Sequence, residues 1–307
     1  MSTASPYSLY LSRLSANSRT SIASQLRSIA KVMDWPVEDE SRFHLINYQD
    51  MLQIRAMLQH AGWASRSINR AQVAIRSIVK IAVMMKLADS EQLNQLCSLS
   101  KLKHAEYPGT ALTKQQVQAL FALLERSTSA MGKRNVALFA VLLGTGLRRS
   151  ELVALELKDI DLNKQTLLVR NGKGSKSRTV FLPKWCLNYL QIWLKLRSMQ
   201  PGYLFCSMLI NGSVKPAKPL SVWLVYRLIK DKLQHIGVEN ASPHDLRRTF
   251  ITRLLEQNID LNTVRQMAGH ASITTTTIYD KRDMQFMQQA ATALNYDIAG
   301  GKHDNPA

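Results

Sequence analysis

Five short stretches of the chain carry residues that can bind an anion, transfer a proton or act as a nucleophile. In chain order they are Thr145–Leu152, Gly172–Gly174, His244–Thr249, Ala268–His270 and Tyr279. Taken singly, none is specific, because a lysine at a glycine-rich turn is normally solvated, a histidine after a helix-ending glycine commonly caps the helix, and most tyrosines pack. The glycine-rich stretch also lacks the spacing of a phosphate-binding P-loop.

Together, the order and spacing of these stretches resemble the tyrosine recombinase family, the phage-type integrases. The match extends from Thr113 to Tyr279. Within that family the chain is most similar to the short Xer-like enzymes, and its N-terminal part fits the family's core-binding domain in size and position. Because five ordered stretches rarely coincide by chance, we treat this resemblance as a strong indication of function.

The resemblance implies a covalent mechanism in which Tyr279 attacks a DNA phosphodiester, forms a 3′-phosphotyrosyl bond and releases a 5′-hydroxyl. A phenol has an ordinary pKa of about 10, so its surroundings must help it lose the proton. Arg148 and Arg247 are implied to hold the non-bridging oxygens, because a guanidinium is always charged and can contact two oxygens at once.

Proton transfer is implied for His244, His270 and Lys173, of which the lysine protonates the departing 5′-oxygen. We expect Glu151 to position an arginine or a histidine rather than to act as a base. Arg248 stands where histidine is common in the family, a mild departure. Since arginines replace the metal ion of many nucleases and the phosphotyrosyl bond keeps the energy of the broken phosphodiester, we expect no metal, no ATP and no other cofactor.

Helical periodicity dominates the first hundred residues. Apolar residues recur between Ile22 and Met33, Asp50 could cap a second helix that stops at Gly62, and a third helix runs from Ile68 to Val83. This pattern predicts an all-α domain over residues 1–105, which the family resemblance implies is the core-binding, DNA-contacting domain.

A polar segment with a Pro-Gly turn predicts a linker over residues 106–112. Thr113 and Gln116 then form a capping box at the start of a helix. We predict a catalytic domain over residues 113–299, followed by a disordered tail over 300–307.

The only strong strand pattern lies within this second domain. Thr166–Arg170 and Arg178–Leu182 are β-rich runs joined by a basic, glycine-containing turn, which predicts a hairpin. After Pro183 the pattern is again mostly helical. The predicted fold class is therefore mainly α, with a small β-sheet in an α+β catalytic domain.

The charge balance indicates a polyanionic partner. The 307 residues include 40 Lys+Arg and 22 Asp+Glu, a net charge of +18, and the excess is shared by both predicted domains. Three widely spaced cysteines form neither a disulfide framework nor a metal motif, which fits the cytoplasm. Neither a signal peptide nor a membrane span is apparent.

A basic stripe on the third helix is the candidate DNA contact of the first domain. It consists of Arg66, Arg70, Arg76 and Lys80, and Val73 interrupts it. A solvated helix face explains the pattern equally well, but the family resemblance favours contact with duplex DNA. An apolar helix over residues 284–294 is implied to dock into a neighbouring protomer, as part of a tetramer on short inverted-repeat sites.

Three functions remain open at this point: a site-specific recombinase, a DNA-binding regulator that keeps the fold without the chemistry, and a topoisomerase-type nicking enzyme. The full catalytic set argues against the regulator. The helical N-terminal domain and the stretch around His270 favour the recombinase. The target sequence, the need for a partner recombinase, and the choice among integration, excision and resolution cannot be read from the residues.

Overall fold

The computed structural model describes residues 4–36, 42–103, 109–170, 177–209, 211–239 and 242–269. The chain divides into two compact units, Met1–Tyr107 and Pro108–Ala307.

The described part of the first unit is helical. Its helices are α1 (Pro6–Ser12), α2 (Ala16–Val32), α3 (Arg42–Leu45), α4 (Tyr48–His60), α5 (Ser65–Met84) and α6 (Ser90–Ser98). Helix α5 contacts the other five. Its inner face, including Ile75, Ile78 and Val79, is fully buried in a core that it shares with Leu26 and Ile29 of α2. The opposite face of α5 is therefore left to solvent.

The second unit combines seven helices with two small antiparallel sheets in its described part. Its helices are α7 (Lys114–Glu125), α8 (Ala130–Thr145), α9 (Arg149–Ala154), α10 (Lys184–Arg197), α11 (Val222–His235), α12 (Pro243–Glu256) and α13 (Leu261–Ala268). A 3₁₀ turn, Leu157–Asp159, precedes the first sheet. The strands are β1 (Ile160–Asp161), β2 (Thr166–Val169), β3 (Arg178–Phe181), β4 (Cys206–Met208) and β5 (Val214–Pro219).

Helix α8 is the centre of the second unit. The run from Val136 to Thr145 is buried throughout, since α7, α10 and α12 pack around it. The helix ends at Gly146, whose φ of +63° is left-handed, and this turn releases the chain toward α9.

The two strands of the predicted hairpin are present. Strands β2 and β3 pair antiparallel with Leu167 opposite Val180 and Val169 opposite Arg178, and β1 extends the sheet on the far side of β2. The capping box of Thr113 and Gln116 is also present at the start of α7. The fold class is confirmed: mainly helical, with small sheets in the second unit.

Two local expectations were wrong. The N-cap of α4 is Asn47, and Asp50 is the third helical residue, whose carboxylate accepts from the Asn47 N–H. Strands β4 and β5 were missed because β5 contains Pro216 and Pro219, which cannot donate to a ladder. A two-stranded sheet consists only of edge strands, so it tolerates these prolines. Within the described ranges, no helix has the length and apolarity needed to span a membrane.

Candidate active site

Four of the predicted site residues lie in the described part of the second unit: Arg148, Glu151, His244 and Arg247. Lys173, His270 and Tyr279 lie outside the described residues, as does the apolar segment 284–294.

Arg148 is the N-cap of α9, directly after the left-handed turn that ends α8. Its backbone N–H donates to Oε2 of Glu151 at 2.8 Å, and its Nη1 donates to Oε1 at 2.8 Å. The guanidinium is thus held close to its own helix, with about a quarter of the side chain exposed. Of the two roles expected for Glu151, this geometry fits the positioning of an arginine.

A second arginine binds the same carboxylate. Arg178 at the start of β3 donates from Nη1 to Oε1 of Glu151 at 3.0 Å and from Nη2 to Oε2 at 2.8 Å. Burial alone would raise the pKa of Glu151, but hydrogen bonds from Arg178 and Arg148 and the charge of Arg178 lower it to about 2. Glu151 is therefore an anion at any physiological pH, shared between two cations.

Arg148 also reaches the end of α13. Its Nη2 donates to the carbonyl oxygen of Gly269 at 3.0 Å. Gly269 closes the helix with a φ of +66°, and the next residue is His270. The arginine therefore fixes the backbone position from which the chain enters the predicted second histidine.

Arg247 is buried in the first half of α12 and points back toward α8. Its Nη1 donates to the carbonyl oxygen of Gly146 at 2.7 Å. Gly146 lies two residues before Arg148, so both predicted phosphate-binding arginines are anchored on the same turn. A side chain on Gly146 would overlap the ring of Phe250, with its Cβ 2.3 Å from Cδ1, so glycine is needed here for space as well as for φ.

His244 lies in the first turn of α12 and is exposed. Desolvation by the surrounding protein lowers its pKa, and the positive charges of Arg149, Arg247 and Arg148 lower it further. The neutral form of the imidazole is thus favoured, and the ring lies close enough to both predicted phosphate-binding arginines for their charges to act on it.

Asp245 connects α12 to the first residues of the second unit. Its carboxylate accepts from the Ser242 N–H at the start of α12 and from the Thr110 N–H at 3.1 Å. Arg248 Nη1 lies 3.5 Å from the same carboxylate. The Leu112 N–H donates to the Thr249 hydroxyl at 2.8 Å. The C-terminal end of the predicted linker is therefore bound to α12.

The candidate DNA contacts of the first unit all lie on α5. Arg66, Arg70 and Lys80 are exposed along one stripe, on which Val73 is 48% exposed. Arg70 Nη2 donates to the Ser21 hydroxyl of α2 at 3.0 Å. Arg76 is half-buried and lies to one side of this stripe. Its Nη2 donates at 2.5 Å to the carbonyl of Leu99, the C-cap residue of α6.

Sequence reasoning missed three participants: Arg178 and the carbonyl groups of Gly146 and Gly269. Arg178 was assigned only to a strand. The one available signal was its position directly after the basic turn that carries Lys173. The two glycines carry no side chain, so only the fold identifies their carbonyl groups as acceptors.

Comparisons with known proteins identify the family of this chain. Residues 110–285 match the phage integrase family. The tyrosine recombinase XerA of Pyrococcus furiosus is 31% identical over 83% of this chain and 84% of its own length. The tyrosine recombinase XerC of Pediococcus pentosaceus is 31% identical over 82% and 83%, respectively.

Two solved structures share the fold. The Tn1549 transposon integrase in complex with a circular intermediate DNA matches with a TM-score of 0.72 at 18% identity, covering 95% of this chain and 100% of that one. The XerH site-specific recombinase bound to its difH substrate matches with a TM-score of 0.63 at 24% identity, over 81% and 72%. On the family match and the identity to these relatives, the chain belongs to the phage integrase family of tyrosine recombinases, in its short Xer-like form.

Proposed function

We propose that this chain is a site-specific recombinase that cuts and rejoins double-stranded DNA through a covalent 3′-phosphotyrosyl intermediate on Tyr279. The observation that carries the proposal is the anchoring of Arg148 and Arg247 on one turn, with His244 beside them, in a chain of the tyrosine recombinase family. The relatives named above are tyrosine recombinases, and both structural neighbours are recombinases bound to DNA.

In this mechanism the two arginines bind the non-bridging oxygens of the scissile phosphate. Charge on those oxygens increases as the Tyr279 oxygen attacks phosphorus and the 5′-oxygen departs. Fixed guanidinium groups stabilise this charge without having to reorganise. Each guanidinium already donates at least one hydrogen bond to a protein carbonyl or carboxylate, and these bonds fix the orientation of the guanidinium before DNA binds.

Three other residues carry out the proton transfers. Lys173 delivers a proton to the departing 5′-oxygen. His244 and His270 hydrogen-bond the phosphate, and one of them accepts the proton of the Tyr279 hydroxyl as the tyrosine oxygen attacks. The lowered pKa of His244 favours the neutral form that can accept this proton, and the imidazolium that results returns it to Tyr279 on rejoining. In rejoining, a new 5′-hydroxyl attacks the phosphotyrosyl bond and the same protons move in reverse. Because that bond keeps the energy of the broken phosphodiester, no ATP is consumed.

The two parts of the chain divide the work. Residues 1–105 form the core-binding domain, with the exposed Arg66, Arg70 and Lys80 directed at duplex DNA. Arg76, the fourth residue of the predicted stripe, lies to one side and donates to the Leu99 carbonyl. Residues 106–112 form a linker, and residues 113–299 form the catalytic domain. The high net charge supports contact with DNA along both parts.

The assembly we propose is a tetramer on two short inverted-repeat sites, formed either by this chain alone or with a related recombinase. The apolar segment 284–294 supports it, because such a segment can dock into a neighbouring protomer. We infer a cytoplasmic location from the DNA substrate and the sparse, unpaired cysteines.

Strand exchange distinguishes this function from the alternatives. A plasmid carrying two copies of a site selected from randomised duplexes by the full chain is incubated with the protein. A recombinase gives excised or inverted product, whereas a topoisomerase-type enzyme only relaxes the supercoils. A DNA-binding regulator leaves the plasmid unchanged, and either of these last two outcomes would overturn the proposal.

A further inference from the structure

Arg178 lies outside the predicted catalytic set, yet it binds Glu151, the residue that holds Arg148. Its guanidinium forms a two-pronged ion pair with Glu151, at 2.8 and 3.0 Å. The side chains of Arg178 and Glu151 are only 16% and 5% exposed. Charge-assisted pairs with this geometry are strongly directional, so the plane of the Glu151 carboxylate is fixed by Arg178.

The same two carboxylate oxygens also hold Arg148. Oε1 accepts from Nη1 of both arginines, and Oε2 accepts from the Arg148 backbone N–H and from Nη2 of Arg178. Without Arg178, the carboxylate could rotate away from the geometry that serves Arg148. The orientation of the Arg148 guanidinium therefore depends on Arg178 through the carboxylate that both arginines bind.

A third contact places Arg178 against the chain that leads to His270. A Cβ on Gly269 would lie 2.7 Å from Cζ of Arg178, so the guanidinium occupies the space of a missing side chain. The carbonyl of the same glycine accepts from Arg148 Nη2. Arg178 thus packs against both protein groups that hold Arg148, the Glu151 carboxylate and the Gly269 backbone.

A buried ion pair gives little stability over a pair of apolar side chains of the same size, because the desolvation of both partners offsets most of their attraction. Orientation is the better explanation for a second buried arginine beside one carboxylate. We propose that Arg178 is a positioning residue for DNA cleavage, which holds Arg148 in its phosphate-binding orientation through Glu151 and Gly269. The proposal rests on the function proposed above.

The test compares single-turnover cleavage of two nicked suicide duplexes that carry the selected site. One has an ordinary scissile phosphate. The other has a methylphosphonate there, which removes one charged non-bridging oxygen and so the need for an oriented arginine. We expect Arg178→Met to slow cleavage of the phosphate about 10- to 100-fold and that of the methylphosphonate less than about 3-fold, the pattern also expected for Arg148→Ala.

Arg170→Met is the matched control. Arg170 follows β2 in the same sheet and pairs with the buried carboxylate of Asp159. Its loss also leaves a buried carboxylate without its ion-pair partner, but we expect cleavage of the two substrates to be slowed equally. Arg178→Lys keeps the charge without the two-pronged geometry, so it should show the same substrate selectivity with a smaller defect, and it replaces Arg178→Met if that variant does not fold.

Equal slowing of both substrates by the Arg178 variants, or unchanged cleavage of the phosphate, would overturn the positioning role. An additional defect of Arg178→Met in the Arg148→Ala background would do so as well, because a residue that acts through Arg148 has no effect once Arg148 is gone. Absence of cleavage by the wild-type chain would instead contradict the proposed function itself, so the two failures are distinguishable.

Discussion

Arg247 in α12 donates a hydrogen bond from Nη1 to the carbonyl oxygen of Gly146, across 101 residues of sequence and 2.7 Å of space. Through this bond, the turn that releases the chain into Arg148 also orients the second predicted phosphate-binding arginine. The spacing of the two arginines therefore depends on the conformation of a single glycine, and this dependence is open to mutation.

Gly146→Ala should destabilise the protein and slow DNA cleavage. The left-handed φ costs a side chain about 1 kcal/mol, and overlap with Phe250 adds about 1–3 kcal/mol of overpacking. Urea unfolding measures the loss of stability, and covalent adduct formation measures the loss of cleavage.

Gly237→Ala is the control for backbone strain. Gly237 has a φ of +74°, and nothing lies within 4 Å of an added Cβ. The variant should therefore lose only about 1 kcal/mol of stability and keep the wild-type cleavage rate. If the two variants lost equal stability, the contact with Phe250 would not be the reason for glycine at 146.

Glu151→Gln should make stability less dependent on acid pH. The pKa of Glu151 is lowered from 4.5 to about 2, so its ionised form stabilises the fold above pH 4.5 by about 3 kcal/mol, and this contribution is lost as pH falls toward 2. The stability difference between wild type and Glu151→Gln should shrink over that window when unfolding is followed by denaturant titration. A difference that stays constant with pH would contradict the doubly paired carboxylate.

The salt dependence of DNA binding should separate the basic residues of α5. Replacing Arg66 or Lys80 by alanine should each reduce the slope of log K against log salt concentration by about 0.9, if each contacts one phosphate. Arg76→Ala should in addition destabilise the first unit by about 1–2 kcal/mol, because the Leu99 carbonyl loses a charged donor. Fluorescence anisotropy across a salt series gives the slopes. Unchanged slopes for both exposed residues would place the DNA on another face.

His244 should titrate below its ordinary pKa of 6.5 in the free protein, because desolvation and the nearby arginines lower the pKa. As pH falls through 6.5, the unfolded chain takes up this proton first, so His244 lowers the stability of the folded chain in acid. A bound scissile phosphate should raise the pKa again by adding negative charge. Ring-carbon NMR titration, assigned with His244→Gln, checks both shifts. A value at or above 6.5 in the free protein would contradict this environment.

Contacts between residues close together in the sequence could be predicted, whereas contacts between distant residues could not. Arg148 and Glu151 are three residues apart at a helix start, so their contact could be anticipated from spacing. The Arg178 contact spans 27 residues and crosses from a strand to a helix, and no local pattern encodes it. The Arg247 contact ends on a backbone carbonyl, which any residue possesses. The motifs thus predict the chemistry, whereas the fold adds the long-range contacts that hold the arginines in place.

Covalent trapping on a nicked suicide duplex tests the central claim most directly. The full chain is incubated with a labelled duplex that carries the selected site, and the adduct is resolved on a denaturing gel and mapped by peptide mass. We predict an adduct in which the DNA 3′-phosphate is joined to Tyr279, formed by wild type and absent in Tyr279→Phe. An adduct that persists in Tyr279→Phe, or the absence of any adduct on DNA that the wild-type chain binds, would contradict the account.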